Sequence, residues 1–293
     1  MEYRFDRNID EGIINKLKAE DLWKKKLKQD CIDENVFLAI RSDNVSFYHK
    51  SRSLFKFDNS DGFKTHKKFA SVINWETGND DVNQKDLKEA TVISNFLDGY
   101  DYIKNNAQLY AEKEGLGVST LYHGCSYLSD SNIVVLDVEI AFSKEKDPNR
   151  TKRTLDKIDI LLYNKKERRL RFIEAKLFDN PDIRAKLELD KNPKVISQIQ
   201  RYEKQVKKQH GNIIASYQKY IKTLNGLFGI SIPAPEKLDP NVGLLIFDFG
   251  IDEKEGQLKK HITRNSKYKN IKIAPIGSLS GKNMQFLWQK TSP

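Results

Sequence analysis

Two short apolar runs of this chain carry carboxylates where a buried strand would ordinarily carry Val or Ile. The first is Ile158-Asp159-Ile160-Leu161-Leu162-Tyr163-Asn164 and the second is Leu170-Arg171-Phe172-Ile173-Glu174-Ala175-Lys176. Between them lies the charged stretch Lys165-Lys166-Glu167-Arg168-Arg169, so the whole reads as a β-hairpin with a solvated tip. Strand side chains alternate faces, which puts Glu174 and Lys176 on one face and Ala175 on the other. Side-by-side strands bring Asp159 to the same edge. Two carboxylates and an ammonium make poor packing material, because buried charge is costly unless it is paired or bound to a metal. They suit a divalent cation that takes hard oxygen ligands.

With this arrangement, Asp159 followed by Glu174-x-Lys176, the chain resembles the PD-(D/E)xK nuclease superfamily and its restriction-endonuclease-like fold. Gln198-Ile199-Gln200-Arg201-Tyr202 in the following segment resembles the Gln-x-x-x-Tyr motif of the branch containing RecB-type nucleases. Four residues apart, Gln198 and Tyr202 share one face of a helix. The resemblance covers roughly residues 95–250. It implies metal-dependent hydrolysis of phosphodiester bonds, with Asp159, Glu174, Lys176, Gln198 and Tyr202 in the catalytic set. Mg²⁺, with Mn²⁺ as an alternative, would sit on Asp159 and Glu174, with Glu139 as a further ligand. Lys176 would orient the attacking water or offset developing charge, and Gln198 and Tyr202 would hold the nucleic-acid strand or the metal's surroundings.

Glu174-Ala175-Lys176 is the only Glu-x-Lys of the chain, and the looser Asp86-Leu87-Lys88 and Asp252-Glu253-Lys254 lie in polar surroundings without a strand. Asp159 follows Ile158 and lacks the preceding Pro of the family pattern, and Asp156 competes with it as a ligand. Asp159 is preferred because it enters the run Ile160-Leu161-Leu162 directly. The strand expected over 133–142 carries Asp137 and Glu139 on one face. Either is a further ligand, or both belong to a solvated face. Family members carry a Glu on a helix before the first core strand; Glu112 and Glu114 stand there, with a plain surface acid as the alternative. A catalytically inactive nucleic-acid-binding protein on the same fold is the rival reading, and an unrelated basic interaction protein is the third.

Net charge is +10 over 293 residues, which favours anionic partners, nucleic acid first. A composition rich in Lys, Asn and Ile from an AT-rich genome would give the same sign. The expected partner is DNA ahead of RNA, with a homodimer left open and no membrane. Lys152, Arg153, Arg168 and Arg169, flanking the hairpin, are the expected phosphate contacts. Cys31 and Cys125 are the two cysteines, too few for a disulfide framework or for the four ligands of an iron–sulfur cluster. The five histidines lack zinc-ligand spacing. A charged N-terminus without an apolar core argues against a signal peptide, and no apolar run approaches bilayer length, so a cytoplasmic protein is expected.

The elements that must position these residues can be read in outline. Residues 10–32 show helical spacing of apolar residues around Lys24-Lys25-Lys26. Residues 35–73 break into short β-like runs, an antiparallel meander whose aromatics are either core or a stacking platform. The acidic stretch 76–89 reads as a linker, placing a boundary near residue 90. That yields a module of an N-terminal helix and a small antiparallel sheet over 1–90. A nuclease-like α/β domain follows over 91–293, with a central mixed sheet flanked by helices. Within it, helices are expected over 91–114, ended by Gly115-Leu116-Gly117, and after Asn192-Pro193. A second helix is expected over 213–228, closed by Gly229, and a strand buried on both faces over 243–249.

Overall fold

The structure is a computed structural model that describes residues 5–72, 80–87, 92–142, 157–184 and 192–292. Of the expected phosphate contacts, Lys152 and Arg153 lie outside these residues, as do Asp156 and the stretch around residue 90. The chain is α/β and divides into two compact units. One comprises residues 6–123 and 219–231; the other comprises 124–218 and 232–293 together with Phe5.

The first unit is built on an antiparallel sheet in the order β1-β2-β3-β4-β5, formed by Phe37–Ile40, Asn44–His49, Arg52–Asp58, Gly62–His66 and Asp81–Asn83. Strand β5 falls inside the acidic stretch read as a linker. Its Val82 is fully buried and its Asp81 pairs with Lys56 at 2.8 Å, so one apolar residue among acids was enough to add an edge strand. The aromatics of the meander are core: Phe47, Phe55, Phe57 and Phe63 are buried, and the first three each meet the Phe63 ring. The N-terminal helical stretch is broken. Helix α1 (Glu11–Ala19) ends at Glu20, whose backbone is extended, and a π-turn, Trp23–Leu27, leads into α2 (Lys28–Ile32).

Helices α3 (Tyr100–Leu109) and α4 (Lys113–Tyr122) also belong to this unit, not to the domain expected over 91–293. The reason is packing: Tyr100 stacks on Phe55 and Phe96 meets the same ring edge-on at 5.4 Å. Gly115 and Gly117 lie inside α4 instead of ending a helix. A Cβ on Gly115 would stand 2.5 Å from the Ser51 hydroxyl, so the glycine permits a close approach. Glu112 is a surface acid paired with Arg52 at 3.0 Å.

The second unit holds a mixed sheet in the order β11-β10-β8-β7-β6. Its strands are β6 (Ile133–Ala141), β7 (Lys157–Asn164), β8 (Arg169–Leu177), β9 (Lys237–Leu238), β10 (Gly243–Phe247) and β11 (Ile273–Ile276). β6, β7 and β8 run antiparallel in succession, whereas β10 and β11 join β8 in parallel. β10 is buried along its whole length, as its continuous apolar run requires. Helix α5 (Lys194–Lys208) and the first half of α6 (His210–Phe228) belong here. Gly229 closes α6 with φ +71°, the left-handed conformation that favours glycine. After β10 a short α7 (Ile251–Glu253) opens a helical segment, and α8 (Met284–Lys290) ends the unit.

Arg171 on β8 is 1% exposed, the largest fully buried side chain. Its Nε donates to Asp239 Oδ2 at 2.6 Å, Nη1 donates to the Trp288 carbonyl, and the guanidinium lies 3.7 Å from the Trp288 ring centre. Asp239, also 1% exposed, accepts from Arg169 at 2.7 Å with its other oxygen. Replacing Asp239 by Ala strands a buried cation, and unfolding in urea should show a loss of about 3–5 kcal/mol; a loss below 1 kcal/mol would mean that Arg171 finds water instead.

In the first unit, the rings of His49 and His123 lie 5.9 Å apart and tilted to each other. His123 Nδ1 donates to the Glu34 carbonyl at 2.6 Å while Nε2 accepts the Lys50 amide at 3.2 Å, a pattern that only the neutral ring satisfies. Burial pushes its pKa down to about 4 and lowers that of His49 as well. Between pH 6.5 and about 4 the unfolded chain therefore binds more protons than the folded one, and stability falls as the pH drops. The contribution of His123 is on the order of 3 kcal/mol. Urea midpoints measured at pH 7.5 and pH 4.5 should show this fall, and His123→Gln should flatten it.

Candidate functional site

The antiparallel ladder between β7 and β8 runs from Asn164↔Arg169 at the hairpin tip to Ile160↔Ile173. The next position would set Asp159 against Glu174, and there the backbone pairing stops. Backbone groups at this end take side chains as partners. The Ala175 N–H donates to Asp159 Oδ2 at 2.7 Å. The Lys157 carbonyl accepts from the Tyr202 hydroxyl at 2.6 Å. The carboxylates of Asp159 and Glu174 thus share a face at the point where two strands part.

Glu174 is 1% exposed and Lys176 is 8% exposed. Lys176 Nζ lies 2.7 Å from Glu174 Oε1 and also donates to the Ala175 carbonyl at 3.1 Å. Helix α5 supplies the remaining contacts. Its apolar face, Val195, Ile196, Ile199, Tyr202 and Val206, is buried, and that fixes Gln198 at the edge facing the sheet. Gln198 Nε2 donates to Glu174 Oε1 and to the Tyr202 hydroxyl, each at 2.8 Å. Asp159, Glu174, Lys176, Gln198 and Tyr202, predicted from five positions of the sequence, form one connected cluster.

Glu139 is placed differently. The pairs Val138↔Ile160 and Ile140↔Ile158 put it opposite Asp159, on the same face. Its side chain, however, pairs with Lys157 at 3.2 Å, and its backbone is left-handed at φ +52°, a strained conformation for Glu. Among the described residues no group of three or more His, Cys, Asp and Glu is gathered to hold a metal ion, so Glu139 is not assembled with the other two carboxylates. Asp137 is fully buried and accepts from the Tyr217 hydroxyl at 2.8 Å, which makes it a core hydrogen-bond acceptor.

Arg168 and Arg169 are not brought to the cluster. Arg169 stands five residues from Glu174 along β8, roughly 17 Å at the rise of an extended strand. Arg168 donates to the Ala234 carbonyl at 2.8 Å and pairs with Glu236, while Arg169 is held by Asp239 and Glu167. Arg168 thus pins the hairpin tip to the segment before β9 and Arg169 pins it to Asp239 just after β9. Lys157, at the opposite end of the hairpin, is the basic residue that the sequence reading overlooked. Its position as the first residue of the Asp159 strand was the available signal.

The chain matches no protein-family model, no curated protein and no solved structure. Among the described residues no helix is long and apolar enough to cross a membrane.

Tyr202→Phe removes the hydroxyl that joins Gln198 to the Lys157 carbonyl. It should cost about 1–2 kcal/mol in denaturant unfolding, because the Lys157 carbonyl and the Gln198 amide each lose a partner. An unchanged midpoint would show that this carbonyl is satisfied without Tyr202.

Proposed function

We propose that this protein is a metal-dependent nuclease with a restriction-endonuclease-like core, cutting phosphodiester bonds of DNA. The observation that carries the reading is the facing register of Asp159 and Glu174 where β7 and β8 part, with the Ala175 amide on Asp159, Lys176 beside Glu174 and Gln198 bonded to Glu174. The mixed sheet, three antiparallel strands continued by two parallel ones with a helix after the Glu-x-Lys strand, supports it as well. The donor set fits a hard cation: two carboxylates on one face, with the remaining positions left to water and phosphate oxygens, is how Mg²⁺ is commonly bound.

When bound, Mg²⁺ or Mn²⁺ supplies Lewis acidity toward a phosphoryl oxygen and makes water more acidic. The protein's own residues then divide the work. Asp159 and Glu174 hold the cation, and the Ala175 amide fixes which Asp159 oxygen faces the site. Gln198 holds the Glu174 carboxyl in one orientation, and Tyr202 holds Gln198. Lys176, a compact point charge on a rigid strand, orients the attacking water or offsets the charge that grows on the phosphoryl oxygens.

Glu174→Gln, with plasmid, linear and single-stranded DNA in Mg²⁺, Mn²⁺ or EDTA, tests the reading. The wild-type protein should cut with metal and not with EDTA, and the variant should not cut. Lys176→Ala should lower single-turnover cleavage on the order of a hundredfold with a much smaller change in DNA affinity. Wild-type protein that binds DNA without ever cutting it would make the chain a non-catalytic binder. A Lys176→Ala protein that melts earlier yet cuts undiminished would make that lysine a structural partner of Glu174 alone.

A further inference from the structure

With Arg168 and Arg169 committed to the hairpin tip, the DNA backbone needs another basic surface next to Glu174. Helix α5 carries one. Its fifteen residues include Lys194, Arg201, Lys204, Lys207 and Lys208 against a single acid, Glu203. Glu203 is turned to the neighbouring loop, accepting from Asn241 Nδ2 and the Val242 amide at 3.2 Å each. All five basic residues are exposed, and Lys194 pairs with Asp182 at 3.0 Å while keeping three quarters of its side-chain surface exposed.

Helical geometry gathers four of the five. At about 100° per residue, Lys194, Arg201, Lys204 and Lys208 fall within an arc of roughly 80°. The near edge of that arc lies about 40° from Gln198, on the side of Gln198 away from the buried stripe. The basic face therefore begins beside the residue that contacts Glu174. Arg201, Lys204 and Lys208 extend it over about 10 Å of helix axis at 1.5 Å per residue. Lysines near a helix C-terminus also complement the macrodipole, which accounts for Lys207 and Lys208 but not for Arg201 and Lys204 in mid-helix.

We infer that the exposed face of α5 is the DNA track of this protein, with Arg201, Lys204 and Lys208 contacting successive phosphates of duplex DNA and leading the strand to Glu174. The identity of the anion rests on the nuclease reading; the position of the track rests on the helix. A duplex presents one charge per about 1.7 Å of its axis, twice the density of one strand, so over this length it offers the basic face the larger counter-charge.

The test is the affinity of the full chain for a labelled 20-base-pair duplex in EDTA across a salt series, so that cleavage plays no part. Arg201→Gln/Lys204→Gln/Lys208→Gln should lower affinity on the order of 100-fold near 0.1 M salt and flatten the log–log salt slope by about 2.7, at about 0.9 per lost phosphate contact. Lys166→Gln/Lys269→Gln/Lys282→Gln removes the same net charge from exposed positions of the same unit and should leave the slope within about one contact of wild type. Circular dichroism of both triple variants checks that α5 stays folded; exposed Gln is nearly as good a helix former as Lys or Arg. Equal losses in the two triple variants, or wild-type affinity in the α5 variant, would overturn the track while leaving cleavage by Asp159 and Glu174 intact. Tighter binding of single-stranded RNA than of the duplex would overturn it too. Absence of any binding by wild-type protein would remove the track and the nuclease reading together.

Discussion

The candidate site depends on the place where β7 and β8 stop pairing. A ladder continued past Ile160↔Ile173 would pair the Ala175 amide with the Ile158 carbonyl. Because it ends, the Ala175 amide is taken by the Asp159 carboxylate, and at the same end of β7 the Lys157 carbonyl accepts from the Tyr202 hydroxyl. Buried backbone groups that lose a ladder must be paired in another way. That requirement ties a carboxylate, a helix and two strands into one arrangement.

The charges held there would be unfavourable singly. Glu174 is almost wholly buried, and an isolated carboxylate in that position would cost several kcal/mol. Lys176 offsets much of this at 2.7 Å, and Gln198 supplies a neutral donor. A Lys176–Glu174 pair packed only for stability would be easily replaced by apolar residues of similar volume. Here the pair lies beside a second carboxylate, Asp159, on the same face. A site that must bind a cation and a phosphate has a use for such a concentration of opposite charges; a core does not.

The two ends of the β7–β8 hairpin divide their labour. At the tip, Arg168 reaches the segment before β9 and Arg169 reaches Asp239 just after it, and the deeper Arg171 joins β8 to the same Asp239 and to the end of α8. These bonds anchor the tip end of the second strand of the hairpin. At the opposite end the strands part and carry the carboxylates. Strands hold side chains to closer tolerance than loops do, as the proposed nuclease site requires.

Much of this was legible in the residues alone. Apolar runs interrupted by Asp159 and Glu174 announce strands with carboxylates on one face, because alternation is local. The four-residue spacing of Gln198 and Tyr202, with Val195, Ile199 and Val206 beside them, gives the helix face for the same reason. What sequence could not reveal were partners distant along the chain. Arg168 and Arg169 read as free cations at a turn, yet their partners lie 66 and 70 residues away. Asp137 reads as either a further ligand or part of a solvated face, yet Tyr217, 80 residues on, claims it. Gly115 and Gly117 read as a helix end until Ser51 is seen against the former. Local periodicity decides which way a side chain points, since it follows from backbone geometry within one element. Which group it meets is decided by how the sheet closes and which helices cover it, and that is a property of the tertiary structure.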